Sequence, residues 1–77
     1  MSEPDIVELD ATGLECPMPL LKAKQALRKM KAGEQLIVTA NDRASWRDFQ
    51  VFAEHSEHEL VYRKEQAGDF IYCLRKN

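Results

Sequence analysis

"LECPMPLLKAKQALRKMKAG" (residues 14–33) contains the change of period that decides the fold. Just before it, residues 5–11 (DIVELDA) set apolar Val7, Leu9 and Ala11 at alternate positions, the pattern of a strand, and Thr12-Gly13 reads as a turn. From Pro17 onward Leu20, Ala23, Leu27 and Met30 recur at helical spacing, and Ala32-Gly33 supplies a stop. A strand followed at once by an amphipathic helix predicts a β-α unit, with the cysteine and two prolines of the stretch at its junction.

The remaining residues extend this unit. Gln35–Ala40, with Leu36, Ile37 and Val38 in succession, reads as the most buried strand. Residues 41–45 form a loop ending in an expected N-cap, Ser45, and Asp48 suits the start of the helix that follows. Trp46, Phe49, Phe52 and Ala53 give that helix its apolar face, and it ends near Ser56. Leu60–Glu65 and Phe70–Arg75 read as strands joined by the hairpin signal Gln66-Ala67-Gly68-Asp69. The order is β-α-β-α-β-β. Right-handed crossovers place both helices on one face of a four-stranded mixed sheet, an α/β (α+β) two-layer sandwich. Glu8, Arg63 and Glu65 predict that the other face is partly open to water. Residues 1–77 are expected to form a single domain too small for a large internal pocket, so chemistry belongs on the surface.

Composition narrows the class. The chain is 44% hydrophobic and 31% charged, as in ordinary globular proteins, and no apolar run approaches the roughly 20 residues of a membrane span. Met-Ser-Glu-Pro-Asp at the start lacks the pattern of a signal peptide, and two cysteines are too few for a disulfide scaffold. A cytoplasmic protein with reduced thiols is expected. A net charge of −2 argues against direct nucleic-acid binding. The charge is unevenly placed: residues 16–33 carry Lys22, Lys24, Arg28, Lys29 and Lys31 with no acid, while residues 48–59 carry four acids and no Lys or Arg. One basic and one acidic helix are predicted.

A helix beginning at Pro17 makes Cys16 its N-cap, with Pro17 at N1 and Pro19 in the first turn, where proline is tolerated. The helix dipole and the Met18 N–H then favour the thiolate, while Glu15 opposes it, so a moderately lowered thiol pKa is expected. The plain alternative is a small residue packing the helix end. Cys73, mid-strand between Tyr72 and Leu74, reads as an inert packed thiol. Cys16 has no C-x-x-C partner, and His55 and His58 lie at the far end of the second helix, so no metal or cofactor is expected. A nucleophile with no base or resolving cysteine is suited to holding a group and passing it on. Met18 and Leu21 project from the helix's solvent side near Cys16, with Lys22, Lys24 and Arg28 around them, and form a candidate docking patch.

From Leu9 to Leu36 the sequence strongly resembles the CPxP signature of the TusA-type sulfur-carrier proteins, also called the SirA or YhhP family. Asp10, Gly13, Cys16, Pro17, Pro19 and Gly33 fit its pattern, as do Asp42, Arg47-Asp48 and His58-Glu59-Leu60. The resemblance implies that Cys16 accepts sulfane sulfur as a persulfide from a cysteine desulfurase or rhodanese-like donor. It implies onward transfer to a downstream sulfur-relay protein, for example toward 2-thiolation of a tRNA wobble uridine, molybdenum-cofactor assembly or sulfur oxidation. Arg43 stands where the family usually has proline and Glu57 where glycine often precedes His-Glu-Leu; both are expected to lie away from Cys16. A rival reading is an RNA-binding or regulatory module. The same element order resembles the C-terminal domain of a bacterial translation initiation factor, but no aromatic cluster marks a basic sheet face.

Overall fold

The computed structural model describes residues 5–77. Its elements are β1 (Ile6–Asp10), α1 (Met18–Lys29), β2 (Gln35–Ala40), α2 (Ser45–Glu54), β3 (Glu59–Gln66) and β4 (Asp69–Arg75). The strands form one mixed sheet in the order β1-β2-β4-β3. β1 runs parallel to β2, and β4 is antiparallel to both β2 and β3. The final hairpin therefore folds β4 back into the gap between the two parallel strands that α2 connects.

Period-two burial makes the two layers. Leu36, Val38 and Ala40 alternate along β2, pair in register with Leu74, Tyr72 and Phe70 of β4, and are buried beneath the helices. Ala23 and Leu27 from α1 and Phe49 from α2 join the same core, so both helices cover one face. The α1 face is the expected one, with Leu20 packed against the core and Met30 closing it. Phe49 stacks on Tyr72 with ring centroids 4.1 Å apart and planes 4° from parallel.

The helix starts differ from expectation by one residue. Pro17, not Cys16, is the N-cap of α1, and no side chain caps it; Pro19 then sits at N2 with its ring buried. Ala44, not Ser45, is the N-cap of α2. Ser45 is buried, and its hydroxyl donates to the Asp42 carbonyl at 2.7 Å while lying 2.6 Å from the Tyr72 hydroxyl. The capping residue of the sequence reading has been drawn inward to tie the loop before α2 to the central strand.

The open face of the sheet bears Glu8 as expected, beside Ile37. Arg63 and Glu65 do not lie there. An irregularity between Leu60 and Tyr62 shifts the register of β3, so Arg63 pairs with Tyr72 and Glu65 with Phe70, both on the helix side. The Arg63 guanidinium lies 4.2 Å from the Trp46 ring centroid and donates to the Trp46 carbonyl at 2.8 Å. That cation–π contact explains how a charge sits beside the core.

Candidate functional site

The loop between β1 and α1 is built by short polar contacts. Asp10 ends β1, and its carboxylate accepts from the Thr12 N–H at 3.0 Å and the Thr12 hydroxyl at 2.6 Å, which holds its pKa below the ordinary carboxylate value. Gly13 follows at φ +83°, a conformation that favours glycine, and its N–H donates to the Asn41 side chain at 2.9 Å. The Glu15 carbonyl accepts the Met18 N–H at 2.7 Å. This last bond overturns one expectation, since the Met18 donor is already taken and does not serve the Cys16 sulfur. Asp10, Gly13 and Glu15 thus shape the loop through their own bonds.

Two carboxylates from elsewhere in the chain meet Cys16. Its backbone N–H donates to the Asp42 carboxylate, and its Sγ lies 2.7 Å from Oδ2 of Asp48. Asp42 is in the β2–α2 loop, held by Ser45, and its second oxygen accepts the Ala44 N–H at 3.4 Å. Asp48 stands in the first turn of α2. Cys16 itself is exposed. The hydrogen bond to Asp48, then partial desolvation and the charges of Asp48 and Asp42, push the Cys16 thiol up from its ordinary pKa. The expected lowering is therefore reversed. A thiol one residue outside the helix, facing two acids, feels them more than the dipole.

The absence of a base beside the cysteine is corrected as well, because Asp48 is within hydrogen-bond reach. The sequence placed Asp48 at a helix start and within the family's motif pattern, but not beside Cys16. Its place in the motif pair Arg47-Asp48, beyond its part in starting the helix, was the signal that could have found it.

Cys73 is buried, with its sulfur 3.7 Å from the Gln35 side-chain oxygen, and burial raises its pKa. The His55 Nδ1–H donates to the Val51 carbonyl at 2.9 Å, and His58 packs near Phe52. Among the described residues no group of three or more His, Cys, Asp or Glu side chains is placed to hold a metal ion.

On α1, Met18 and Leu21 are about 40% exposed, as predicted, and Lys22 and Arg28 are exposed with them. Lys24 is only half-exposed because its ammonium lies 5.5 Å from the Phe52 ring centroid. Beside it a groove between α1 and α2 is lined by Leu20, Lys24, Arg47, Val51 and Phe52 and has Asp48 in its wall. Arg43, expected far from the cysteine, directly follows Asp42 in the chain, and its guanidinium lies over the Phe70 ring. Glu57 is exposed beyond the end of α2.

A family model described as sulfurtransferase TusA matches residues 7–76. The chain belongs to the TusA family. It is 44% identical over 70 residues to the sulfur carrier protein TusA of Allochromatium vinosum, which covers 91% of this chain and 92% of that one. It is 45% identical over 73 residues to the sulfur carrier protein TusA of Pseudomonas putida strain GB-1, covering 95% of this chain and 90% of its relative. The crystal structure of a SirA-like protein from Desulfitobacterium hafniense superposes with a TM-score of 0.78 at 27% identity, covering 90% of this chain and 95% of that one. The TusA-type fold expected from the CPxP stretch is therefore the fold observed. No helix of the described residues is long and apolar enough to cross a membrane.

Proposed function

We propose that Cys16 carries sulfane sulfur as a persulfide, taking it from a cysteine desulfurase or rhodanese-like donor and giving it to a downstream relay protein in the cytoplasm. One observation supports this reading above the rest: Cys16 is exposed on a braced loop at the helix start, while Cys73 is buried. In the loading step the Cys16 thiolate attacks the outer sulfur of the donor's persulfide. The donor's S–S bond breaks with its electron pair left on the donor cysteine, which takes up a proton. Cys16 has given up its own proton, so thiol plus persulfide become persulfide plus thiol with no oxidant needed. In the unloading step an acceptor thiolate attacks the outer sulfur on Cys16, and Cys16 leaves. The proposed endpoint is a route such as 2-thiolation of a tRNA wobble uridine, and the domain acts as one unit over residues 1–77.

The test is to incubate the full chain with a cysteine desulfurase and cysteine and to read the intact mass. One added sulfur is expected on the parent and on Cys73→Ser, and none on Cys16→Ser. Full loading of Cys16→Ser would overturn the assignment.

A further inference from the structure

The contact between Cys16 and α2 has a consequence for when the cysteine can react. Its Sγ is 2.7 Å from an Asp48 oxygen, and its backbone N–H is held by Asp42, so the sulfur stands between two acids from outside its own loop. A carboxylate at that distance accepts a hydrogen bond from a thiol but repels a thiolate. We propose that Asp48, aided by Asp42, holds Cys16 as an uncharged thiol in the free protein, and that a productive sulfur donor must bring a cationic side chain against these acids to release the thiolate. This rests on the sulfur-carrier reading for its second clause only; the first concerns the thiol alone.

The surroundings support the assignment. Every charged group that acts on the sulfur is an acid: Asp48 from α2 and Asp42 from the β2–α2 loop both raise its pKa. Glu15 precedes it in its own loop; of the cations nearby, Lys24 and Arg47 line the groove that has Asp48 in its wall, and the Arg43 guanidinium lies over the Phe70 ring. Asp48 is also placed by the fold. α2 is anchored by the buried Ser45 and by the stacked Phe49–Tyr72 pair, so its first turn is rigidly aimed at the loop. An exposed cysteine kept as a thiol resists oxidation and small electrophiles, since the thiolate is the reactive form. A partner whose Lys or Arg pairs with Asp48 removes both the hydrogen-bond acceptor and the repulsion at the moment of docking. The proton then leaves to solvent and the sulfur attacks. Asp48 is thus a positioning residue that links reactivity to partner identity.

The experiment follows alkylation of Cys16 by iodoacetamide from pH 6 to 11, read by mass on the full chain, for the parent, Asp48→Asn and Asp42→Asn. The pH midpoint of Asp48→Asn is expected to fall by about one unit, which makes alkylation at pH 7 roughly tenfold faster, with a smaller change for Asp42→Asn. Asp48→Ser replaces Asp48→Asn if circular dichroism shows the latter unfolded. An unchanged or raised midpoint in the folded variant overturns the first clause, whatever the sulfur-loading result. The second clause is read by loading Cys16 from inorganic polysulfide, which brings no cation, and from a cysteine desulfurase. Asp48→Asn is expected to accelerate polysulfide loading about tenfold and to leave desulfurase loading no faster. Equal acceleration with both donors overturns the second clause. A parent that never loads from any donor, with the alkylation shift intact, overturns the sulfur-carrier reading and leaves the acid-held thiol standing.

Discussion

Pro17 and Pro19 share one motif but have different surroundings. Pro17 is exposed at the helix N-cap, whereas Pro19 is fully buried in the first turn of α1. The sequence reading placed both in the first turn, where proline is tolerated; for Pro19, core packing is added. Pro19→Ala removes about two buried methylene-sized groups and is expected to lower stability by roughly 1–2 kcal/mol in urea unfolding. A loss near zero would mean that the ring contributes nothing to packing. At the same scale the cysteine shows what one-dimensional reading can and cannot reach. Its exposure and place before a helix were legible, because they follow from the local change of period. The direction of its pKa was not, because Asp42 and Asp48 come from 26 and 32 residues further along the chain. Periodicity tells which face of α2 is buried. It does not tell which side chain at the helix start will meet a loop from another connection.

Element order was legible throughout, and each boundary fell within a few residues, because β1 and the two helices carry a clean two- or 3.6-residue pattern and the other strands are apolar or β-branched runs set off by turn residues. Strand order was harder. β2 read as the most buried strand, but β4 shares the centre of the sheet with it, with Phe70, Tyr72, Cys73 and Leu74 all buried. The run Phe-Ile-Tyr-Cys-Leu is continuously apolar, as suits a central strand, whereas the charged β3 suits an edge. The misplaced Arg63 and Glu65 have a local cause, since one irregularity in β3 moves the following side chains to the opposite face. The hairpin between β3 and β4 was read correctly and now has a detailed geometry. Ala67 and Gly68 both have positive φ, 53° and 87°, with Gln66 paired to Asp69. This matches the two-residue turn that prefers Asn-Gly, and alanine is poorly suited to its first position. Ala67→Asn is expected to stabilise the fold by roughly 0.5–1 kcal/mol. Thermal or urea unfolding checks it, and a destabilised variant would show that the turn adopts another form.

Across the whole molecule, the two helices share one layer and bring the basic stretch of α1 beside the acidic stretch that begins in α2. One acid of that stretch is neutralised within the protein, where Arg75 pairs with Glu59; Gln50 bonds Glu54 and Lys24 leans on Phe52 with their partners' charges unchanged. Lys22 and Arg28 remain exposed on α1, near the apolar Met18 and Leu21. These four side chains, drawn from the helical wheel as a docking patch, are thus exposed, whereas Lys24 lines the α1–α2 groove. On the proposed sulfur-carrier reading, a partner that docks at Cys16 along α1 would meet cations and exposed apolar side chains there and the Asp42–Asp48 pair at the sulfur. A donor surface that fits both sides must carry acids opposite α1 and a base opposite Asp48, so orientation is set by charge as well as by shape. Replacing Arg28 with glutamate reverses only the α1 side and does not disturb the Phe52 contact, which makes it a cleaner probe than Lys24→Glu. Arg28→Glu is expected to slow sulfur loading several-fold at low salt, with the difference shrinking as salt screens exposed charges over about 10 Å at 0.1 M. Leu21→Ser is expected to weaken transfer by a similar factor at every salt concentration, because lost apolar contact is not screened. Loading and unloading rates, each measured at low and high salt with the donor and the acceptor in turn, separate the two effects. If neither variant changes either half-reaction, partners must approach over the β2–α2 loop instead, where Asp42 and Arg43 would then be the residues to reverse.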